Sequence, residues 1–280
     1  MTMNRLLLLG MACWAIASHA AYYPDPAHFR IERDIRYAEP DRCVLDVMYA
    51  PGGRSEWPTI VWFHGGGLTA GDKRFLPLHD DGIAQVAVRY PFLTEDGSVS
   101  VSNILDAAAQ AVAWTFENTA RYGGDTNKIF VGGHSAGGYI AMMIGLDSQW
   151  LGRYGLSPND LCGLIPVSGQ ATTHFAVRKA RGDVRSQFAP MIDSFAPLNF
   201  VDRPNLPPID VICGDPDFDE WKGRAEENEL LIASLKACGH KYARYWRLPH
   251  ANHTTVLYAA YGYISYSVRD RVNLLKSRRK

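Results

Sequence analysis

Short apolar runs rich in β-branched residues alternate along this chain with longer segments of helical period. "FRIERDIRYA", "CVLDVMYA", "TIVWFHG", "AQVAVRY", "KIFVGG", "CGLIPVSG", "PIDVICG" and "YARYWRLP" read as strands. "SNILDAAAQAVAWTFENTARYG", "AGGYIAMMIGL", "DEWKGRAEENELLIASLKACG" and "TTVLYAAYGYISYSVRDRVNLL" read as helices, the third opening with acids and closing on Gly239. Apolar strands separated by crossover helices predict a mostly parallel sheet covered on both faces.

One stretch breaks that rhythm. Gly169 to Phe200 is too long for a simple connection and falls between two strand ends, where an α/β sheet places its ligand crevice. It is expected to form a short cap. Its cations Arg178, Lys179, Arg181 and Arg185 either serve that cap or are solvated on a surface helix.

The first twenty residues differ from the rest. Arg5, an apolar run from Leu6 to Ile16 and Ser18-His19-Ala20 before Ala21 make a secretory signal with a small-x-small cleavage site. The run is too short to span a bilayer, so cleavage after Ala20 and export, to periplasm or exterior, are expected rather than membrane insertion. No repeat or low-complexity tract follows, so residues 21–280 read as one domain. Removing the signal removes Cys13 and leaves Cys43, Cys162, Cys213 and Cys238, whose disulfide pairing the sequence leaves open. Cys162 and Cys213 lie in strand-like runs and read as small buried apolar residues.

Twenty-nine Lys and Arg balance twenty-nine Asp and Glu, so no global field draws the chain to nucleic acid or an anionic membrane. The expected partner is a small or weakly charged molecule. No CxxC pair or His/Cys cluster calls for a metal, and no cofactor is implied. The oligomeric state is not legible.

The candidate chemistry begins at "KIFVGGHSAGGYIAMM", where a strand runs into Gly133-His134-Ser135-Ala136-Gly137 and then into a helix. This is the G-x-S-x-G pattern in a strand–turn–helix context, in which small neighbours admit a strained serine backbone. A serine hydroxyl is nearly inert at neutral pH, so it requires a base, an orienting acid and donors for an oxyanion. "TIVWFHGGGLTAGDK" ends a strand in His64-Gly65-Gly66-Gly67, and Gly66, Gly67 and Ala136 are the candidate donors. After "PIDVICG" comes the carboxylate cluster Asp215, Asp217, Asp219 and Glu220. Asp217 is the favoured acid, with Asp215 and Asp219 as alternatives and Asp219 the better helix N-cap. "RYWRLPHANHTTVLY" offers His253 as base and His250 as a structural histidine. His64 is expected to hold the glycine loop, and His134 not to act as base.

Together these residues resemble the α/β-hydrolase superfamily, and within it the HGGG-bearing esterases and lipases: carboxylesterase, feruloyl-esterase-like and kynurenine-formamidase-like proteins and plant prenylcysteine methylesterases. The resemblance runs from Leu45 to the C-terminal helix through "LDVMYAP", "FHGGGLTAGDK", "RYP", "DAAAQAVAWTFENTARYGGDTNKIFVGGHSAGG", "SFAPLNF", "LPPIDVICGDPD" and "NHTTV". It implies a fold of about eight mostly parallel strands and a serine esterase acting through Ser135, His253 and Asp217 on a small ester. Leu68, where many relatives carry an aromatic residue, and Arg89-Tyr90-Pro91 depart from the common pattern and leave the acyl and alcohol parts of the substrate open. A formamidase or amidase would use the same residues. A catalytically inactive hydrolase fold used for binding is the alternative from another class. A prolyl-oligopeptidase-like peptidase has no room here for its propeller.

Overall fold

The computed structural model describes residues 28–51, 56–78 and 82–278. The signal segment and Cys13 lie outside the described residues. All eight expected strands form: β1 (Arg30–Arg36), β2 (Val44–Tyr49), β3 (Trp57–Phe63), β4 (Ala84–Val88), β5 (Gly124–His134), β6 (Gly163–Val167), β7 (Ile209–Cys213) and β8 (Ala243–Arg247). They join in one sheet of order β1-β2-β4-β3-β5-β6-β7-β8. The β1–β2 and β2–β4 pairs are antiparallel, and β4, β3, β5, β6, β7 and β8 run parallel.

Alternation along the central strands assigns two faces. Val61, Phe63, Val86, Val88, Val131 and Leu164 pack on one side, with the helices α1 (Val101–Asn118), α2 (Ala136–Leu146) and α3 (Ser148–Gly152). Ile60, Trp62, Phe130, Ile165 and Ile212 pack on the other, against helices α6 (Val256–Ala259) and α7 (Tyr261–Arg278), after α4 (Phe175–Ala180) and α5 (Arg224–Ala237) in the chain. Helix α2 is buried at all eleven positions, which its nearly uninterrupted apolar sequence requires. Helix α1 begins at a Ser100–Asn103 capping box, and a 3₁₀ turn beyond it ends on Gly123 in the left-handed region.

Two helix boundaries differ from expectation. The C-terminal segment divides into α6 and α7, and α5 starts at Arg224 rather than at the acids Asp219 and Glu220. The intervening chain forms a 3₁₀ turn, Pro216–Phe218, closed by Asp219 in the left-handed region at φ 62°. Asp219 is therefore not the N-cap of α5, a position held by Gly223.

Cys43, Cys162 and Cys213 are buried thiols and Cys238 is an exposed one, all unpaired. Burial pushes the Cys162 and Cys213 thiols up to about 12, in keeping with small apolar core residues.

Chain packing is tight where β5 turns into α2. A Cβ at Gly137 would stand 2.0 Å from the Phe63 carbonyl oxygen, whereas one at Gly152 in α3 would meet nothing within 4 Å. Gly137→Ala is therefore expected to lose roughly 3 kcal/mol or more of stability, or to fail to fold. Gly152→Ala should be neutral or gain up to about 1 kcal/mol, both read from urea unfolding midpoints.

Candidate active site

Ser135 occupies the turn between β5 and α2 with φ 56° and ψ −117°, a conformation that L-residues rarely adopt. Its amide donates to the Val167 carbonyl of β6 at 2.8 Å and its carbonyl accepts from Tyr139 in α2 at 3.0 Å. The strained backbone is thus pinned at both ends. A Cβ on Gly133 would lie 2.7 Å from the Phe63 carbonyl oxygen and 2.4 Å from Gly137, which excludes any larger residue beside the serine.

His253, in the loop between β8 and α6, brings Nε2 to 2.9 Å from Ser135 Oγ. Its Nδ1 stands 2.6 Å from Glu220 Oε1. A carboxylate only accepts, so Nδ1 carries the proton, Nε2 keeps its lone pair, and the serine hydroxyl donates to it.

The carboxylate beside the imidazole is Glu220, not Asp217. The Asp217 side chain is 85% exposed and faces Arg247, with 3.1 Å between Nη2 and Oδ2. Asp215 is also engaged elsewhere: it accepts from Arg247 at 2.7 Å and from the amides of Asp217 and His250 at 3.2 Å each. The left-handed turn at Asp219 reverses the chain and sends Glu220 back under the sheet edge, where its side chain is fully buried. Gly214 makes room, since a Cβ there would fall 2.4 Å from Glu220 Oε2. Sequence reasoning placed Glu220 in the first turn of a helix. The signals for its actual place were the glycine ending β7 and the Asp-Pro-Asp run, which favours a tight turn over a direct helix start.

Burial by itself would raise the Glu220 carboxyl, but hydrogen bonds and charge reverse the sign. His253, the Ser168 hydroxyl at 2.6 Å, the Gly214 amide at 3.0 Å and the Trp221 amide at 2.9 Å all stabilise its anion, so it titrates below the ordinary glutamate value. Ser168 follows β6 with φ 45°, and buried Arg224 donates to its carbonyl at 2.9 Å.

The remaining histidines support loops. His134 Nε2 donates to the His253 carbonyl at 2.8 Å and so fixes the loop carrying the imidazole rather than reaching the serine. His64 Nδ1 donates to the Gly65 carbonyl at 2.6 Å and its ring stacks on Tyr90 at 4.3 Å. His250 sits in the left-handed region with its amide on Asp215 and its ring edge-on to Phe218. Gly65 presses the glycine loop against the nucleophile turn, because its Cβ position is 3.3 Å from Ser135 Cβ. Gly66 at φ 116° and Gly67 at φ 63° follow in conformations open to glycine, and Ala136 is the buried first residue of α2.

Residues 169–200 reach this group through a series of rings. His174 caps α4, and its ring stacks on Phe175 at 4.5 Å; Phe175 meets Trp221 at 5.3 Å, and Trp221 meets the His253 ring at 4.9 Å. Of the four cations here, Arg178 alone is buried, and Lys179, Arg181 and Arg185 are exposed. Arg178 is 2% exposed and binds Asp183 at 2.7 Å, Ser186 O at 3.2 Å and the Ala189 carbonyl. Arg181 pairs with Asp193 and Arg185 with Asp183 at the surface, and Lys179 is the most exposed of the four, 3.8 Å from Glu95.

Among the described residues no group of three or more His, Cys, Asp and Glu side chains is placed to hold a metal ion. No described helix is long and apolar enough to cross a membrane. A serine hydroxyl donating to an imidazole that is held by a buried carboxylate is competent for nucleophilic acyl transfer.

The sheet order, the strand–serine–helix turn and the late histidine loop define an α/β-hydrolase fold of the esterase and lipase type. Within it, the chain belongs to the BD-FAE family, whose match covers residues 45–206. It is 28% identical to the liver carboxylesterase of Sus scrofa over 204 residues, 63% of this chain and 34% of that protein. It is 31% identical to the carboxylesterase NlhH of Mycobacterium tuberculosis over 120 residues, 40% of this chain and 36% of that protein. The chain thus spans about a third of the length of these relatives. Among solved structures, esterase B of Lactobacillus rhamnosis superposes with a TM-score of 0.71 at 18% identity, covering 93% of this chain and 92% of that one. A carbohydrate esterase from gut microbiota gives 0.69 at 15% identity, covering 87% and 96%. At these identities the structural likeness speaks for the fold.

Burial drives His64 and His134 down to about 4. Their folded values lie below the unfolded 6.5, so the unfolded chain binds more protons between about 6.5 and 4 and stability falls as pH drops through that window. Each contributes up to about 1.4 kcal/mol per pH unit. Urea unfolding of His134→Gln, which keeps a donor for the His253 carbonyl, is expected to show a shallower loss from pH 6.5 to 4 than the wild type.

Proposed function

We propose that the protein is an exported serine carboxylesterase that hydrolyses a small carboxylic ester through Ser135, His253 and Glu220 and an acyl-enzyme intermediate. The hydrogen-bonded chain from Ser135 Oγ through the His253 ring to Glu220, at 2.9 Å and 2.6 Å, is the observation that carries this reading. The carboxylesterases among its relatives support the choice of an ester. Export rests on the first twenty residues alone.

In the first half-reaction His253 Nε2 takes the hydroxyl proton as Ser135 Oγ attacks the ester carbonyl. The carbonyl oxygen gathers negative charge and is met by the amides of Gly66, Gly67 and Ala136. Glu220, already ionised and shielded from water, holds the imidazole in the Nδ1–H tautomer and stabilises the imidazolium. His253 then gives its proton to the departing alkoxide. In the second half-reaction water is deprotonated by the same nitrogen, attacks the acyl-serine and releases the acid. Residues 169–200 act as the cap that shapes the acyl and alcohol sites through Phe175 and Trp221.

Ser135→Ala is expected to abolish hydrolysis of a short-chain aryl ester while leaving the melting temperature within a few degrees of the wild type. Retained turnover would reject the nucleophile, and a folded wild type that a fluorophosphonate fails to label would favour a binding protein. Glu220→Gln should lower kcat by roughly 10³- to 10⁴-fold through the wrong imidazole tautomer. Asp217→Asn should stay within about twofold, because an exposed ion pair with Arg247 contributes little. The reverse order would restore Asp217 as the acid.

A further inference from the structure

A second concavity lies at the far end of the sheet, where β6, β7 and β8 begin. Gly163, Pro208 and Tyr242 border it at the strand starts and α7 closes it, leaving a volume of about 130 Å³. Ser135, by contrast, follows the C-terminal end of β5.

Its charges are unevenly matched. Arg244 takes both carboxylates of the cavity: Asp210 through Nε and Nη2 at 2.6 Å each, and Asp270 through Nη1 at 2.8 Å. Arg271 is left to donate from Nε to the Cys162 carbonyl at 3.2 Å, with its guanidinium 5.0 Å from the Tyr242 ring centre. Its Nη1 is buried with no hydrogen-bond partner, and so is the hydroxyl of Ser267, a residue 2% exposed. Ser267 and Arg271 are four apart on α7 and therefore share one helix face, and both line the cavity. An unpaired buried donor is costly, and two of them on residues lining one cavity beside a surplus positive charge select a ligand that only accepts. The rest of the wall, from Phe130, Leu164, Ile165 and Leu274, suits a hydrocarbon body. A cavity of about 150 Å³ holds one benzene ring, so the fit is to a ring or a chain of a few carbons.

We propose that this cavity binds a small monocarboxylate with an apolar body, its carboxylate accepting from Arg271 Nη1 and Ser267 Oγ and its hydrocarbon part lying against Leu164 and Phe130. Lys241, exposed at the mouth, adds to the positive field. The site does not depend on Ser135 being a nucleophile.

Calorimetric titration of the whole protein with benzoate, benzyl alcohol and sulfate tests it, with binding located by NMR at the methyl groups of Leu164 and Leu274. The wild type should bind benzoate with shifts at those methyls. Arg271→Gln should weaken benzoate roughly ten- to a hundred-fold while leaving benzyl alcohol unchanged, and Ser267→Ala should weaken benzoate a few-fold. Arg271→Lys, which keeps the charge but loses the planar fork, should fall between wild type and Arg271→Gln and serves if the latter does not fold. Four results would overturn the proposal: no benzoate binding at millimolar concentration, shifts confined to residues around Ser135, equal benzoate affinity in the wild type and all three variants, or sulfate binding as tightly as benzoate.

Discussion

The close approach of the β5–α2 turn to the end of β3 is the constraint on which the rest of the site depends. Gly133 and Gly137 both stand where a single added carbon would strike the Phe63 carbonyl. That contact sets the serine at the top of the central strand, in a conformation held open by hydrogen bonds to β6 and α2. It also fixes the glycine loop, because His64 to Gly67 directly continues β3 and Gly65 rests on the serine turn. The candidate nucleophile and candidate oxyanion donors are thus placed by one packing event. Strain of this kind persists only where the surroundings over-determine it, and here a fully buried helix and the parallel pairing of β3 with β5 supply that.

Around this point the polar groups form a closed circuit among the ends of β6, β7 and β8. Ser168, Gly214 and Glu220 meet beneath His253, while His134 reaches across from the nucleophile turn to the His253 carbonyl. Every oxygen of the Glu220 carboxylate has at least two donors, so its charge is stable without water. Arg247 performs the complementary task on the outer side, pairing with both the buried Asp215 and the exposed Asp217. The neighbouring carboxylates are thereby sorted by environment: Glu220 fully buried beside the imidazole, Asp215 buried against Arg247 and two amides, and Asp217 exposed to the same cation and to solvent.

Residues 169–200 hold their shape largely by internal ion pairs. Arg178, nearly inaccessible, gathers Asp183, Ser186 and Ala189 around one guanidinium, which suits its planar set of donors. The segment then touches the site through rings, from His174 to Phe175 to Trp221 to His253. The segment also leaves Val184, Phe188 and Ile192 exposed.

The sequence by itself determined the sheet, its two apolar faces, the serine turn, the glycine loop and the histidine that follows β8. Each of these is written in local periodicity or in a steric requirement for glycine, and such signals survive without knowledge of neighbours. The expectation that His134 is not the base agrees with its Nε2 being engaged by the His253 carbonyl. The partner of His253 was decided only by the tertiary structure. Asp215, Asp217, Asp219 and Glu220 are chemically alike in a string, and choosing among them depends on where Arg247 sits, on the left-handed turn at Asp219 and on the space that Gly214 leaves. The same holds for Arg178, whose burial no charge pattern shows, and for Ser267 and Arg271, two ordinary helix residues until the starts of three strands enclose them. Periodicity and sterics are properties of adjacent residues. The ionisation and partnering of a carboxylate or guanidinium depend on solvent and on groups brought together from distant parts of the chain.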